Sequence, residues 1–414
     1  MPDNHQHTHR GSTSDSDSTR RTFLRATGAL GTAGLTGLAG CTALSGGGGG
    51  GDSLTIGISV PLSGDFSNLG SIYETAFDAW EQNVEDSGGL DGTSVELRKE
   101  DNQSSESQAS EIASQFANDE VDYVVNAYSS PLSRAMAPAL EDAQIPLITT
   151  GSLNYEIHQG FDYMFMFEPP LARKGAGSIL SQHDDGKKVA ALAVDLGWAR
   201  LSQKRFVEQV APDNGLEVVY SATHARETTD FDSFMLRAKQ AGAQSFVATN
   251  YSHHVVNMVR SMAARNFTPK YVDAQTATAA SIGNDLGSLV EGLAAPTMYM
   301  QQFDTAGNEE FLETFKSIRS SEEISADYHA ALAYGALQTF EGAYANAGSA
   351  EGSELQQQMM NSEFETVAGT ASFNENGVQD GIPWSLLQWQ DTKSKQLVFP
   401  EERATGDVTW PKPW

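Results

Sequence analysis

The sequence predicts an α/β protein built as two doubly wound lobes, and three observations carry that prediction. Short β-branched apolar runs alternate with segments whose apolar residues recur at three and four, the pattern of strands separated by amphipathic helices. The alternation forms two series, divided near Glu168-Pro169-Pro170. The roughly 360 residues after Ser53 exceed what one hydrophobic core usually spans.

The chain opens with an address. Residues 1–18 are polar and low in complexity, and Arg20-Arg21 stand just before Thr22-Phe23-Leu24. The uncharged run 26–40 is too short for an ordinary membrane-spanning helix. The arginine pair resembles a twin-arginine export signal. Leu38-Ala39-Gly40-Cys41 resembles a lipobox, and Cys41 is the only cysteine in the chain. A lone exported thiol is a liability unless it is used, so Cys41 is the expected lipidation site and residues 1–40 the expected signal. Residues 41–53, with Gly46 to Gly51, form the expected tether.

Charge excludes one class of partner. The chain has 54 acidic and 26 basic residues. The leader holds three Asp and four Arg, which leaves 51 acids, 22 bases and a net charge of −29 after Gly40. Phosphates would be repelled, so no nucleic-acid partner is expected. The acids are spread over helix faces and Lys is scarce, which reads as adaptation to high salt.

In the first series, residues 54–60 (LTIGISV) are a strand. Residues 61–70 are a loop with helix-start chemistry. Ile72, Tyr73, Ala76, Phe77, Trp80 and Val84 then line one face of a helix that SGGLDG at 87–92 ends. Residues 94–97 are a strand, and 107–118 a helix with Ile112 and Phe116 inward. Residues 121–125 form a strand buried on both faces. Ser130 is the expected N-cap of the next helix, with Pro131 at its first position. Residues 145–149 are the following strand.

The loops at Tyr128–Ser130 and Thr150–Ser152 leave the same carboxyl edge of a parallel sheet, where open α/β sheets bind ligands. Their hydroxyls, free N–H groups and helix start suit a small carboxylate. Two readings of Ser130 stand here: a helix cap alone, or part of such a shelf.

In the second series, 188–194, 216–221, 245–249 and 271–273 are strands; 199–210, 231–241 and 255–264 are helices. Helices follow at 309–320, 328–346 and 353–361, and a last strand at 385–389. Adjacent His253-His254 at a helix start would point apart, and no acid or Cys cluster accompanies them, so no metal is expected. Asn102, Asn250 and Asn266 begin glycosylation sequons.

The segments 56–70, 87–92, 121–149, 369–377 (GTASFNENG) and 387–390 (LQWQ) together resemble the leucine/isoleucine/valine-type periplasmic binding proteins, solute receptors of ABC importers. The resemblance implies the type I fold: two Rossmann-like lobes joined by a three-segment hinge, with the ligand between them. It places lobe one at 54–168 plus 301–380, lobe two at 169–300 plus 381–400, and a C-terminal tail at 401–414. It implies that the loops at Ser130 and at Gly151, Ser152 and Leu153 hold the ligand's carboxylate and amine, and that Trp198, Tyr251 and Gln275 close over it; Tyr128, on the Ser130 loop, and Leu69 are further expected site residues. Two positions depart from the family: a common aromatic is Leu69, and the acid that pairs with an α-ammonium is Gln275.

The expected function is therefore an extracytoplasmic, lipid-anchored receptor for a branched-chain amino acid or a related small aliphatic carboxylate or amide. It would be a monomer without cofactor or catalysis, working with a permease and ATPases. A sensory ectodomain with a separate signalling partner is the alternative. An exported enzyme is disfavoured, since no Gly-x-Ser-x-Gly, His-Glu-x-x-His or phosphate-binding loop occurs.

Overall fold

β1 (Leu54–Val60) is buried along its length apart from Thr55, because parallel partners flank it and helices cover both faces. The computed structural model describes residues 53–171, 173–319 and 325–414. The expected signal, Cys41 and all of the tether but Ser53 lie outside the described residues.

The first sheet has the order β2-β1-β3-β4-β5, with β2 at Val95–Asp101, β3 at Tyr123–Asn126, β4 at Leu147–Thr149 and β5 at Met164–Met166. All its pairings are parallel. Alternate residues of β3 feed opposite cores: Tyr123 and Val125 join one, Val124 the other. α1 (Ser67–Asp86) packs on the first face, while α2 (Glu106–Asn118) and α3 (Ser130–Ala143) pack on the second.

The second sheet repeats the order and extends it. β6 (Lys188–Val194), β7 (Glu217–His224), β8 (Ser245–Thr249), β9 (Tyr271–Ala274) and β10 (Leu293–Thr297) run parallel as β7-β6-β8-β9-β10. Its helices are α4 (Lys174–Ser181), α5 (Gly197–Arg205), α6 (Ala211–Asp213), α7 (Asp232–Gln240), α8 (Ser252–Ala264) and α9 (Ala280–Leu286). Between α5 and α6, Phe206–Val210 forms a π-helical turn.

The chain crosses between the lobes three times. After β5 it enters the second lobe. After β10 it returns, and α10 (Asn308–Ile318) and α11 (Tyr328–Ala347) pack on α1. α12 (Gly352–Asn361) and the β11–β12 hairpin (Phe364–Thr366, Gly369–Ala371) follow α11. The chain then crosses again to β13 (Ser385–Trp389) and β14 (Lys395–Phe399), which join the second sheet antiparallel beside β10.

Ser130 is not the N-cap. Ser129 holds that position in extended backbone, and Ser130 is the first helical residue. The reason is a competing bond: the Ser130 Oγ accepts from Leu153 N and from Ser152 Oγ, both at 3.2 Å. Trp198, read as loop, sits in the first turn of α5. The C-terminal segment lies along the second lobe: Trp410 stacks on His183 at 3.8 Å, and Lys412 Nζ donates to Leu289 O and Glu291 O. Asn102 and Asn250 are fully buried, which removes two of the three sequons from the surface.

Candidate functional site

The carboxyl edges of the two sheets face each other. Every loop at this junction leaves a strand end, so the doubly wound topology alone gathers them. From the first lobe come Asp65–Leu69 after β1, Tyr128–Ser130 after β3, Gly151 and Leu153 after β4, and Glu168 after β5. From the second come Trp198 after β6, Arg226 after β7, Tyr251 after β8 and Gln275 after β9. Together with Tyr328 and His329 at the start of α11, they enclose about 480 Å³.

Each position has a local cause. Gly151 lets two loops touch: a Cβ there would lie 2.2 Å from Tyr128 Cδ2 and 2.6 Å from Ala127 O. Thr150 Oγ1 donates to Ala127 O and ties the same loops. Gln275 N donates to Ala248 O, which carries the β8–β9 ladder one residue past the strand end. Glu168 precedes Pro169, which restricts its backbone to extended conformations. Asp327 caps α11 by accepting from His329 N and Ala330 N, and its other oxygen lies 3.1 Å from His329 Nδ1. Burial works against the Asp327 charge, but His329 and the capping bonds outweigh it and hold the carboxyl below its usual range.

Of the nine expected residues, Leu69, Tyr128, Ser130, Gly151, Leu153, Trp198, Tyr251 and Gln275 all line this cavity. Ser152 does not; fully buried, it donates to Ser130. That bond and the one from Leu153 N use both Ser130 lone pairs, so its hydroxyl proton is left to donate. A larger hollow of about 940 Å³ runs beside the hinge crossings, and none of the nine lines it.

The walls are aromatic. Phe66 meets Tyr128 edge-on at 5.0 Å and Tyr251 at 6.0 Å, and Trp198 lies 5.6 Å from Tyr251. The expected loop 61–70 ends earlier, because α1 starts at Ser67; Leu69 is helical, and Phe66, the N-cap three residues before it, supplies an aromatic ring at this lip. Arg226 spans the mouth: its guanidinium lies 2.7 Å from Asp65, 5.1 Å from the Phe66 ring and 5.9 Å from the Tyr251 ring. His253 and His254 do not point apart. Their ring centroids are 4.0 Å apart; His254 is buried with its Nε2 at the Arg226 carbonyl, and His253 stays exposed beside it. Among the described residues no group of His, Cys, Asp and Glu is arranged to hold a metal.

Sequence reasoning missed Asp65, Phe66, Glu168, Arg226, Tyr328 and His329. Glu168 is the most consequential. It is 2 % exposed, and its Oε1 has no hydrogen-bond partner. Burial pushes its carboxyl well above the usual range, an effect the Tyr328 hydroxyl partly offsets. Gln275 Oε1, on the opposite lobe, is likewise buried and unpartnered.

Residues 53–394 match the family model described as periplasmic binding protein. A Leu/Ile/Val-binding protein homologue of Brucella suis is 21 % identical, over 81 % of this chain and 90 % of that one. A leucine-, isoleucine-, valine-, threonine- and alanine-binding protein of Pseudomonas aeruginosa is also 21 % identical, over 84 % and 92 %. Among solved structures, LivJ of Streptococcus pneumoniae with isoleucine superposes with a TM-score of 0.74 at 19 % identity, covering 84 % of this chain and all of that one. A Rhodopseudomonas palustris solute-binding protein with 4-hydroxybenzoate gives 0.73 at 20 %, covering 86 % and 98 %.

Proposed function

The chain belongs to the periplasmic binding protein family, and from that premise we propose that it is the solute receptor of an ABC importer. The carrying observation is the convergence of loops from both sheets on one aromatic-walled cavity of about 480 Å³. That volume suits a small ligand. The ligand is a branched-chain amino acid or a related small aliphatic carboxylate or amide. Its carboxylate or carbonyl end accepts a hydrogen bond from the Ser130 hydroxyl and rests on the Gly151–Leu153 loop, near the start of α3, where a helix favours negative charge by about 0.3–1 kcal/mol. Leu69, Tyr128, Trp198 and Tyr251 cover the apolar part, and Gln275 meets it from the second lobe.

The receptor binds as the lobes close, without chemistry, and is read by a permease with its ATPases. The organisation proposed is the one the sequence suggests: signal 1–40, tether 41–53, lobe one at 54–168 with 301–380, lobe two at 169–300 with 381–400, and the segment 401–414. Arg20-Arg21 and the Cys41 context support export and lipid anchoring at the outer face of the membrane. Among the described residues no helix is long and apolar enough to cross a membrane.

Calorimetric titration with leucine, 4-methylpentanoate, 4-methylpentanamide and 4-hydroxybenzoate tests the binding reading. At least one aliphatic probe should bind one per chain, and Ser130→Ala should weaken it. Binding of 4-hydroxybenzoate alone would move the assignment to aromatic acids; binding of none would overturn it. Cys41→Ser should release the protein from membranes, and unchanged membrane association would place the anchor elsewhere.

A further inference from the structure

On the cavity wall, a carboxyl oxygen and an amide oxygen from opposite lobes have nothing to accept from. Glu168 Oε1 and Gln275 Oε1 both sit on side chains 2 % exposed, both residues line the wall, and neither atom has a partner. A buried acceptor left without a donor is costly, so a pair from opposite lobes points to a ligand that brings donors. Resting on the reading of this cleft as the solute site, we propose that Glu168 and Gln275 together receive an ammonium end of the ligand, and that capture expels a proton from Glu168.

The groups around Glu168 decide its state before the ligand arrives. Tyr73 from α1, Tyr128 from the β3 exit and Tyr328 from α11 surround it, and each is itself held neutral chiefly by its own burial. His329 on the wall is turned to Asp327. His253 and Glu227 also line the cavity. Arg226 is the one guanidinium or ammonium on the wall among the described residues, and it is paired with Asp65 at the mouth. Among the described residues, then, no fixed cation neutralises Glu168, and an uncompensated buried carboxylate holds its proton. An ammonium supplies the missing countercharge. The step balances: Glu168–COOH and R–NH3+ become Glu168–COO− paired with R–NH3+, and one H+ passes to buffer.

This also explains Gln275. A second buried carboxylate at one ammonium would leave a surplus negative charge. With Glu168 carrying the charge, an uncharged acceptor at 275 completes the site.

The test is titration of the full chain with leucine and 4-methylpentanoate at pH 6, in two buffers of different ionisation enthalpy. The difference in heat counts protons. Leucine should release close to one proton and 4-methylpentanoate none. Glu168→Gln should abolish the release and cost leucine at least tenfold relative to 4-methylpentanoate. Leucine binding without proton release, with Glu168→Gln ranking the two ligands as wild type does, overturns the inference and leaves the receptor reading standing. So does a wild type that binds 4-methylpentanoate and rejects leucine. Failure of both probes counts against the receptor reading itself. The proton count on wild type needs no variant, so a poorly folding Glu168→Gln would not shield the proposal.

Discussion

Arg226 Nη2 of the second lobe lies 2.7 Å from Asp65 Oδ2 of the first, and the same guanidinium rests over Phe66. The pair joins loops that follow β7 and β1, at opposite lips of the cavity. A pair that spans the two lips is broken if the lobes separate, so it favours whichever state keeps them together.

Arg226→Met should therefore lower ligand affinity through closure alone. Both partners are partly exposed, at 37 % and 73 % of their side chains, so the ion pair contributes little. With the contact to Phe66 added, the loss should be about 1 kcal/mol, roughly fivefold in Kd. Titration in 0.1 M KCl should show it, and scattering should report a larger share of open molecules without ligand. An unchanged Kd and unchanged scattering profile would mean that the contact contributes nothing to closure.

Gly151→Ala tests the loop contact beneath the ligand. The added methyl would meet Tyr128 Cδ2 at 2.2 Å and Ala127 O at 2.6 Å, and the backbone oxygen has no room to yield. Overpacking of this kind costs about 1–3 kcal/mol. Tyr128 lines the cavity, so ligand affinity should fall along with Tm. Gly197→Ala is the control, because its methyl would meet only Asn154 Nδ2 at 3.5 Å. Equal effects from the two substitutions would remove Gly151 from the site.

How much of this was legible follows from how each part is specified. Long strands such as β1 (LTIGISV) and β6 (KVAALAV), seven residues each and mostly apolar, read directly. β5, at three residues, is held by its neighbours rather than by its own pattern. α4 has the sequence KGAGSILS, in which two glycines and two serines lower the helix propensity, and it stands by packing Ala176, Ile179 and Leu180 into the second lobe. In the cleft, Ser130, Gly151, Tyr251 and Gln275 were reachable because each ends a readable strand. Glu168 was visible only as a boundary before two prolines; its burial depends on three tyrosines from three other elements. Arg226 and Asp65 are 161 residues apart, and nothing local in either stretch names the other.

Acid should destabilise the fold through His158. This residue is 3 % exposed, and burial lowers its pKa to about 4, partly offset by its bond to the Met164 carbonyl. The unfolded chain takes up the proton near pH 6.5, well above the folded protein, so the unfolded state binds more protons in between. The stability contributed is complete above pH 6.5 and is lost as pH falls toward 4, by on the order of 3 kcal/mol. His254, also lowered to about 4 chiefly by burial, acts in the same direction. Tm should drop over this window, and His158→Gln should flatten part of the drop. A Tm profile of equal slope in both proteins would take His158 out of the acid response.

High salt should stabilise the protein. After Gly40 it carries 51 acidic and 22 basic residues, and helix faces show exposed acids such as Glu85, Asp86, Glu106, Glu111, Glu309 and Glu310. Like charges held on a compact surface repel more than they do on an extended chain, so screening favours folding. The Debye length shrinks from about 10 Å at 0.1 M to below about 3 Å at 2 M KCl, less than the usual spacing of such charges. Surface pairs such as Arg200–Asp195 weaken over the same range. Each is worth about 0–1 kcal/mol, and the bases available are fewer than half the acids, so repulsion is the larger effect. Tm should therefore rise between the two concentrations. Salt also strengthens apolar burial, and a variant separates the causes: replacing Glu85, Asp86 and Glu111, none of them in the first turn of a helix, by their amides should raise Tm at 0.1 M and shrink the rise. A flat or falling Tm in wild type, or an undiminished rise in the variant, would refute an electrostatic origin.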